Sequence, residues 1–196
     1  MSSTAEKFDR KYSYADYLKW PDEERFELIE GIVYDMSPAP SPQHQNLLFE
    51  IAGLLYNFLK DRRCRAFPAP FDVRFPEKGD TSDSSLFNVV QPDITVVCDP
   101  EKIDDRGCLG APDLIIEILS PSTAFKDETE KMMLYEKHGV GEYWLVNPVA
   151  KYIVVYRHNG TGFDKPDYYK ENDLLESATL CGLTIDLKEL WERSIA

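Results

Sequence analysis

The sequence has few cysteines, and none of them has the spacing of a zinc site. Cys64, Cys98, Cys108 and Cys181 lie far apart and include no C-x-x-C pair. Zinc sites use closely spaced cysteines, and disulfide scaffolds use them at high density. We therefore expect four reduced thiols scattered through the core, with neither a zinc site nor a disulfide framework.

Long apolar segments are also missing. No run approaches the roughly 20 apolar residues of a membrane-spanning helix. Residues 1–11 are polar and lack the apolar core of a signal peptide. We expect no membrane association, a cytoplasmic location and a flexible segment over 1–11. With no internal repeat and no linker, residues 1–196 are expected to form a single domain.

Positive charge is scarce as well. The chain has 22 lysines and arginines against 35 acidic residues, a net charge of -13. This balance argues against general, charge-driven binding of nucleic acid, but it does not exclude an enzyme that holds DNA in a local basic groove. A basic cluster offers one local contact for a DNA backbone, although a solvated helix end is the better explanation, since lysine and arginine favour helix C-termini. Its members are Lys60, Arg62, Arg63 and Arg65.

What the sequence does contain is a regular alternation of helix and strand signals. The predicted elements are a helix opened by a capping box at Ser13–Asp16 and running to Trp20, a hairpin over 26–36 turning at Glu30-Gly31, a helix over 42–61 capped by Ser41, a strand over 71–75, strands over 89–97 and 112–119, a helix from Ser122 or Thr123 to His138, strands over 142–146 and 152–156, around 168–169 and near 179–181, and a short helix over 186–191. The order α-β-β-β-α-β, with added hairpins, predicts an α/β fold with a mixed sheet.

Two acidic residues stand inside apolar strands. Asp93 lies in a β-branched run, and Glu117 lies in the run that follows. A lone buried carboxylate costs several kcal/mol unless it is paired or binds a cation. If the two strands pair, alternation of side chains brings both acids to one face near one edge. Carboxylates without nitrogen or sulfur partners suit Mg²⁺ or Mn²⁺ rather than zinc.

A lysine on the next helix can reach these acids. Asp127, Lys131 and Tyr135 follow one another at intervals of four and share a helical stripe. We expect Lys131 to lean over Asp93 and Glu117. An exposed lysine paired with Asp127, worth only about 0.3–0.5 kcal/mol, is the alternative.

Further candidates lie outside this group. His44 stands at the start of the long helix, where the dipole favours anions. Glu27 and Glu30 precede the first turn and could supply a ligand, although solvated hairpin acids are the simpler interpretation. Asp113 shares the strand face of Glu117, but its place at the strand start favours a turn or capping role.

Several segments carry a resemblance to a known family. The pairs Pro92-Asp93 and Glu117-Ile118-Leu119 are similar to the P-D…(D/E)-x-K motif of the PD-(D/E)XK nuclease superfamily. The more specific segments are Ser37–Pro42 with His44-Gln45, Gly110–Leu114, Glu117–Thr123 and Gly139–Val146. Together they closely resemble the bacterial Uma-two family of restriction endonuclease-like proteins, over residues 12 to about 158.

The resemblance implies a restriction-endonuclease-like core (αβββαβ), with a mixed central sheet flanked by helices, and Mg²⁺-dependent phosphodiester cleavage. Asp93 and Glu117 would hold the metal, and Asp93, Glu117 and Lys131 would be catalytic. The chain departs from the motif at Leu119, where the superfamily has a lysine on the strand. Related nucleases move this residue to the following helix, which is where Lys131 stands.

Three functions remain open at this point. The first is a metal-dependent endodeoxyribonuclease, acting as a homodimer because two strand cuts need two sites. The second is a catalytically silent binding or assembly module, favoured by the acidic charge and the missing strand lysine. The third is a metal-dependent hydrolase of small phosphate esters, which needs no basic footprint.

Overall fold

The protein is described by a computed structural model that covers residues 10–21, 25–36, 39–77 and 79–194. The segment predicted to be flexible, 1–11, lies outside the described residues except for its last two. Ser37 and Pro38, the first two residues of the segment Ser37–Pro42 that carries part of the family resemblance, also lie outside them.

The helices and strands follow one another along the chain as follows. They are α1 (Tyr14–Tyr17), β1 (Phe26–Ile29), β2 (Ile32–Asp35), α2 (Pro42–Leu59), β3 (Arg65–Pro68), β4 (Val73–Arg74), β5 (Val89–Val90), β6 (Ile94–Val97), a 3₁₀ turn (Pro100–Lys102), β7 (Ile103–Asp104), β8 (Gly107–Leu109), β9 (Leu114–Ile118), α3 (Ala124–Lys126), a π-helical turn (Asp127–Lys131), α4 (Met132–His138), β10 (Glu142–Asn147), β11 (Tyr152–Arg157), β12 (Asp167–Lys170), β13 (Leu174–Glu176), β14 (Thr184–Asp186) and α5 (Leu187–Arg193).

The main sheet has six strands in the order β12-β11-β10-β9-β6-β3. β9 and β10 are parallel, whereas the other neighbours are antiparallel. This arrangement confirms the predicted mixed sheet and the α/β fold class. A parallel pair needs a crossover, and the helical run over 124–138 provides it between β9 and β10.

A second sheet contains the predicted N-terminal hairpin. Its strand order is β2-β1-β5-β4-β8-β7, so β1 lies between two neighbours rather than at an edge. The hairpin turns at Glu30-Gly31 as predicted, with both residues at positive φ, 52° and 79°. A Cβ on Gly31 would meet the Lys11 side chain at 2.9 Å, so the turn has room for glycine only.

Long helix α2 covers one face of the main sheet. Its N-cap Ser41 accepts a hydrogen bond from the His44 backbone N–H, and Pro42 occupies the first turn. An apolar stripe along α2 packs against β6, β9, β10 and α5. The side chains that meet on this apolar side of the sheet include Leu47, Ile51, Leu55, Ile94, Val96, Leu114, Ile116, Ile118, Trp144, Val146, Leu190 and Trp191.

The opposite face of the main sheet packs against the helical run over 124–138 and the second sheet. Ile115 and Leu119 on the β9 segment join Tyr135 and Tyr143 there. The predicted alternation of β9 is therefore confirmed, because even-numbered apolar residues face α2 and odd-numbered residues face away from it. Glu117 belongs to the second set.

Several local predictions are wrong. Helix α1 ends at Tyr17 rather than Trp20, and the strand expected over 71–75 is reduced to Val73–Arg74. No strand forms near 179–181 in the described chain, because the pairing partners there are β13 and β14. The capping box at Ser13 and the helix end at His138 are confirmed, and the short helix predicted over 186–191 forms as Leu187–Arg193.

The prediction of four reduced cysteines is also wrong. Cys64 and Cys98 form a disulfide bond, while Cys108 is buried and free and Cys181 is exposed and free. The two partners follow directly from the antiparallel pairing of β3 with β6, where Arg65 lies opposite Val97. Pairing between residues 34 positions apart cannot be deduced from spacing alone.

Across the described residues, no helix combines the length and the apolar character needed to span a membrane.

Candidate active site

A cleft of about 600 Å³ opens at the edge of the main sheet where β6 begins and β9 ends. The hairpin β1-β2, the start of α2 and the segment 120–131 form its walls. Its charged side chains are Arg25, Glu27, Asp35, His44, Asp93, Glu117, Lys126, Asp127 and Lys131. Five carboxylates thus face three lysine and arginine side chains in the described lining.

The structure brings Asp93 and Glu117 together. In the antiparallel pairing of β6 with β9, Ile94 lies opposite Ile116, which places the two acids side by side just beyond. The Asp93 backbone N–H donates to Glu117 Oε2 over 3.4 Å. In return, the Ile118 backbone N–H donates to Asp93 Oδ2 over 2.7 Å. These reciprocal bonds fix both carboxylates at the floor of the cleft.

Lys131 reaches Glu117 from the crossover helix, whereas none of its ion pairs in the described part of the chain involves Asp93. Its Nζ lies 2.7 Å from Glu117 Oε1, 2.8 Å from Glu27 Oε1 and 3.5 Å from Asp127 Oδ1. The side chain is only 4% exposed. The ammonium is therefore enclosed by three carboxylates, and the alternative of an exposed lysine paired only with Asp127 is wrong.

Glu27 is part of the same buried group, contrary to the interpretation of a solvated hairpin acid. Its carboxylate joins Lys131 through Oε1 and Lys126 through Oε2, the latter at 2.6 Å. Its Oε1 also accepts from the Gln91 backbone N–H at 3.0 Å. Glu27 is completely buried because β1 is an interior strand of the second sheet. We call Glu27, Glu117, Lys126, Asp127 and Lys131 the ionic cluster.

Burial and charge act in opposite directions on the ionic cluster. Burial raises the pKa of Glu117 to about 8; Lys131 opposes this rise, and the neighbouring acids add to it. Burial alone would lower the pKa of Lys131, but attraction to Glu117, Glu27 and Asp127 holds it well above its ordinary value. The lysine is thus charged across the ordinary pH range, whereas burial disfavours the charged form of Glu117.

A π-helical turn shapes this part of the site. Asp127 and Lys131 lie at its two ends and are both buried. The Tyr143 hydroxyl donates to the Asp127 carbonyl at 3.0 Å, and the Tyr135 hydroxyl donates to Glu117 Oε1 at 3.0 Å. Single π turns inside α-helices are frequent at functional sites, because they aim side chains that a regular helix would turn away.

His44 enters the cleft from the first turn of α2. Its Nε2 lies 3.1 Å from Asp93 Oδ2, and its Nδ1 is buried without a hydrogen-bond partner in the described residues. Burial alone would lower the pKa of His44, but Asp93 raises it above its usual value. The structure therefore places this candidate in contact with one of the two central acids.

The other two candidates lie elsewhere. Glu30 occupies the exposed tip of the β1-β2 hairpin, 3.8 Å from Lys137. Asp113 stands at the opposite end of β9 from Glu117, where its Oδ2 accepts from the Cys98 backbone N–H at 2.7 Å. Neither residue lines the cleft.

The basic cluster has local partners as well. The Arg62 guanidinium lies over the Phe58 ring at 3.9 Å, and Arg63 lies 3.7 Å from Asp99. None of its four members lines the cleft.

Glu27 and Lys126 are the members of the ionic cluster that sequence reasoning undervalued or missed. The signal for Glu27 was present, because Phe26-Glu27-Leu28-Ile29 is an acid inside an apolar strand, like Asp93 and Glu117. The sequence around Lys126 gives no comparable signal, because its role depends on its ion pair with Glu27 on β1 of the second sheet.

The described part of the chain has no preset metal centre built from side chains alone. Within the described residues, no set of three or more His, Cys, Asp or Glu side chains is arranged to hold a metal ion. The cleft does offer two adjacent carboxylates, Asp93 and Glu117, beside the backbone of Ile118. Any metal bound there would take only part of its ligands from side chains.

Comparison with proteins of known structure shows what fold this chain has. It is similar over 93% of its length to 98% of a chain described as a putative nuclease belonging to DUF820 from Anabaena variabilis ATCC 29413. The TM-score is 0.74 at 25% sequence identity. The fold is thus that of a nuclease-like protein, in agreement with the predicted restriction-endonuclease-like core.

Two curated relatives come from Synechocystis sp. (strain ATCC 27184 / PCC 6803 / Kazusa). The uncharacterized protein slr1290 is 27% identical over 169 residues, covering 85% of this chain and 84% of that protein. The uncharacterized protein sll1609 is 27% identical over 151 residues, covering 74% and 80%. Residues 14–188 match the family model described as "Uma2: Putative restriction endonuclease". This chain belongs to the Uma2 family of restriction endonuclease-like proteins.

Proposed function

We propose that this protein is a metal-dependent endonuclease that hydrolyses DNA phosphodiester bonds in the cleft between β6, β9 and α2. The observation that carries the proposal is the meeting of Asp93, Glu117 and Lys131. Glu117 on β9 accepts a hydrogen bond from the Asp93 backbone N–H just before β6, and it also pairs with the Lys131 ammonium from the crossover helix.

The chemistry of the cleft fits Mg²⁺ or Mn²⁺. Asp93 and Glu117 would hold the ion, with the Ile118 carbonyl as a further oxygen ligand, and Mg²⁺ commonly takes one or two carboxylates plus waters. The excess of acids over lysines and arginines, and the buried Asp127 Oδ1 that accepts no hydrogen bond, both favour an added cation. Such an ion would polarise the phosphate and lower the pKa of a bound water.

The chain's own residues then have separate tasks. Lys131 holds Glu117 in place and neutralises charge at the floor of the cleft. His44 and the Ile118 N–H orient the Asp93 carboxylate. The N-terminus of the 18-residue helix α2 points its backbone dipole toward the region where a phosphate would lie.

Cleavage of supercoiled plasmid in Mn²⁺ or Mg²⁺ tests the proposal. We expect the wild type to nick the plasmid, and Asp93→Asn and Glu117→Gln each to lose at least about 10²-fold in rate, since even indirect metal contacts are worth 10- to 100-fold. Asp113→Asn is a matched control, because Asp113 shares the strand and face of Glu117 but lies at the far end. An inactive wild type would favour the silent module, and equal nicking by both variants would indicate a contaminant.

A hydrolase of small phosphate esters is the second candidate function. The cleft volume of about 600 Å³ is that of a small-molecule pocket, and the net charge of -13 opposes approach of DNA. A chromogenic phosphodiester such as bis(p-nitrophenyl) phosphate distinguishes the two. Turnover of this ester with no cleavage of plasmid would favour the second candidate.

We also propose that the protein acts as a homodimer, because cutting both strands of a duplex requires two sites. Sedimentation velocity should then show a species of twice the chain mass of 22.6 kDa. A monomer that makes double-strand breaks would contradict this part of the proposal.

A further inference from the structure

The two lysines of the ionic cluster differ in what they can contact. Lys131 is 4% exposed, and its ammonium already faces Glu117, Glu27 and Asp127. A lysine ammonium has three N–H donors. With three carboxylates within 3.5 Å of its nitrogen and so little exposed surface, Lys131 offers almost no room for a substrate phosphate.

Lys126 is less enclosed. Its side chain is 14% exposed and lines the cleft. Its ammonium has one short acidic contact, 2.6 Å to Glu27 Oε2, and it lies 5.5 Å from the centre of the Tyr34 ring. Donors therefore remain for a group entering from the cleft.

The position of Lys126 is set by the same acid that holds Lys131. Glu27 binds Lys131 through one oxygen and Lys126 through the other, so the two ammonium groups are neighbours. Glu27 is completely buried on an interior strand, which makes it a fixed support. Lys126 thereby stands in the wall of the cleft whose floor carries Asp93 and Glu117.

We propose that Lys126 is the amine that contacts the scissile phosphate, whereas Lys131 is a positioning residue that holds Glu117. This inference rests on the proposed nuclease function and changes which lysine touches the substrate. Glu27 is the support that couples the two lysines. An ammonium at this place would stabilise the negative charge that develops on the phosphate oxygens.

The test is the rate of plasmid cleavage in Mn²⁺ as a function of KCl concentration, for wild type, Lys126→Met and Lys126→Arg. We expect Lys126→Met to lose roughly 10²-fold in rate, the loss typical of a removed transition-state donor. Loss of one phosphate contact should also reduce the slope of log(kcat/KM) against log[KCl] by about 0.9. Lys126→Arg keeps the charge and should recover part of the rate and all of the slope.

Lys137→Met is the matched control. Lys137 lies on the same helical run and pairs with Glu77 at 2.7 Å, but it faces away from the cleft. Its removal should leave rate and salt slope unchanged. Circular dichroism of each variant confirms folding, and Lys126→Gln replaces Lys126→Met if the latter does not fold.

The outcomes separate the two proposals. Cleavage by the wild type together with an unchanged rate or an unchanged salt slope in Lys126→Met overturns the role of Lys126 and leaves the nuclease function standing. A wild type that does not cut DNA overturns the nuclease function and the inference that rests on it.

Discussion

The two sides of strand β9 are built in opposite ways. Toward α2, Ile116 and Ile118 pack among leucines, isoleucines and tryptophans. Toward the helical run over 124–138, Glu117 enters the ionic cluster, where three carboxylates surround Lys131. Neighbouring residues of one strand, both almost completely buried, therefore face environments of opposite polarity.

This difference separates the apolar contacts that stabilise the fold from the charged side chains at the candidate site. Burial of apolar side chains stabilises a protein by about 25 cal/mol per Å² of surface. Buried ion pairs repay their desolvation only when geometry is excellent, and apolar replacements are often neutral or stabilising. A buried ionic cluster is therefore weak evidence for stability, and we explain it by the proposed function.

Removing the central ammonium should have the largest effect. Lys131→Met leaves Glu27, Glu117 and Asp127 buried around an uncharged side chain. We expect a loss of about 3–5 kcal/mol in the free energy of unfolding, measured by urea denaturation, because unpaired buried charges are left behind.

A multiple variant sharpens this prediction. Adding Glu27→Gln and Glu117→Gln to Lys131→Met removes the unpaired charges and should restore much of the lost stability. If the triple variant is no more stable than Lys131→Met, the loss of stability does not come from unpaired buried charges, and this explanation is contradicted.

Truncating an apolar side chain on the α2 side of β9 should reduce the free energy of unfolding slightly less, and this loss should not depend on pH. Ile116→Ala leaves a cavity beneath α2, and we expect a loss of about 3 kcal/mol, within the usual range for such truncations. This loss should be the same at pH 6 and pH 8, since the apolar side described here has no charged group at Ile116. A strong pH dependence would show that the two sides of the strand are coupled.

Sequence reasoning succeeded where the controlling interactions are local. The approach of Asp93 to Glu117 follows from the period of a β-strand. The single strand predicted over 89–97 is wrong, because it forms β5 in the second sheet and β6 in the main sheet, with Asp93 between them. The place of Lys131 follows from its spacing to Asp127 and Tyr135 on one helix. The stripe and cap of α2 are likewise local features.

It failed where long-range pairing decides. Glu27 looks like an exposed hairpin acid until β5, some 60 residues later, pairs with β1 and buries it. The Cys64–Cys98 bond depends in the same way on the pairing of β3 with β6. The π-helical turn at Asp127–Lys131 has no composition signal and reflects the packing of its two buried charged residues.

A smaller effect on stability is expected at Ser41, which caps α2 at the cleft. Ser41→Ala removes the hydrogen bond accepted from the His44 backbone N–H. We expect a loss of about 1 kcal/mol in stability. Cleavage should fall as well, because the same turn positions the His44 ring against Asp93. An unchanged rate would show that this contact is not needed.

The smallest effect concerns the free cysteines. Burial raises the pKa of Cys108 to about 12, whereas Cys181 is exposed. Since only the thiolate is reactive, Cys108 should stay unlabelled by a thiol reagent such as DTNB at pH 8. The native protein should show one reactive thiol and the denatured protein two. Two reactive thiols in the native state would show that the core around Cys108 opens readily.

The most direct test of the central claim is the midpoint of thermal unfolding with and without Mn²⁺, for wild type and Glu117→Gln. A cation that binds only the folded state at 100 times its Kd stabilises it by about 2.7 kcal/mol. The account predicts that Mn²⁺ raises the midpoint of the wild type by several degrees and leaves that of Glu117→Gln nearly unchanged. An equal response of the two proteins, or no response of the wild type, would contradict it.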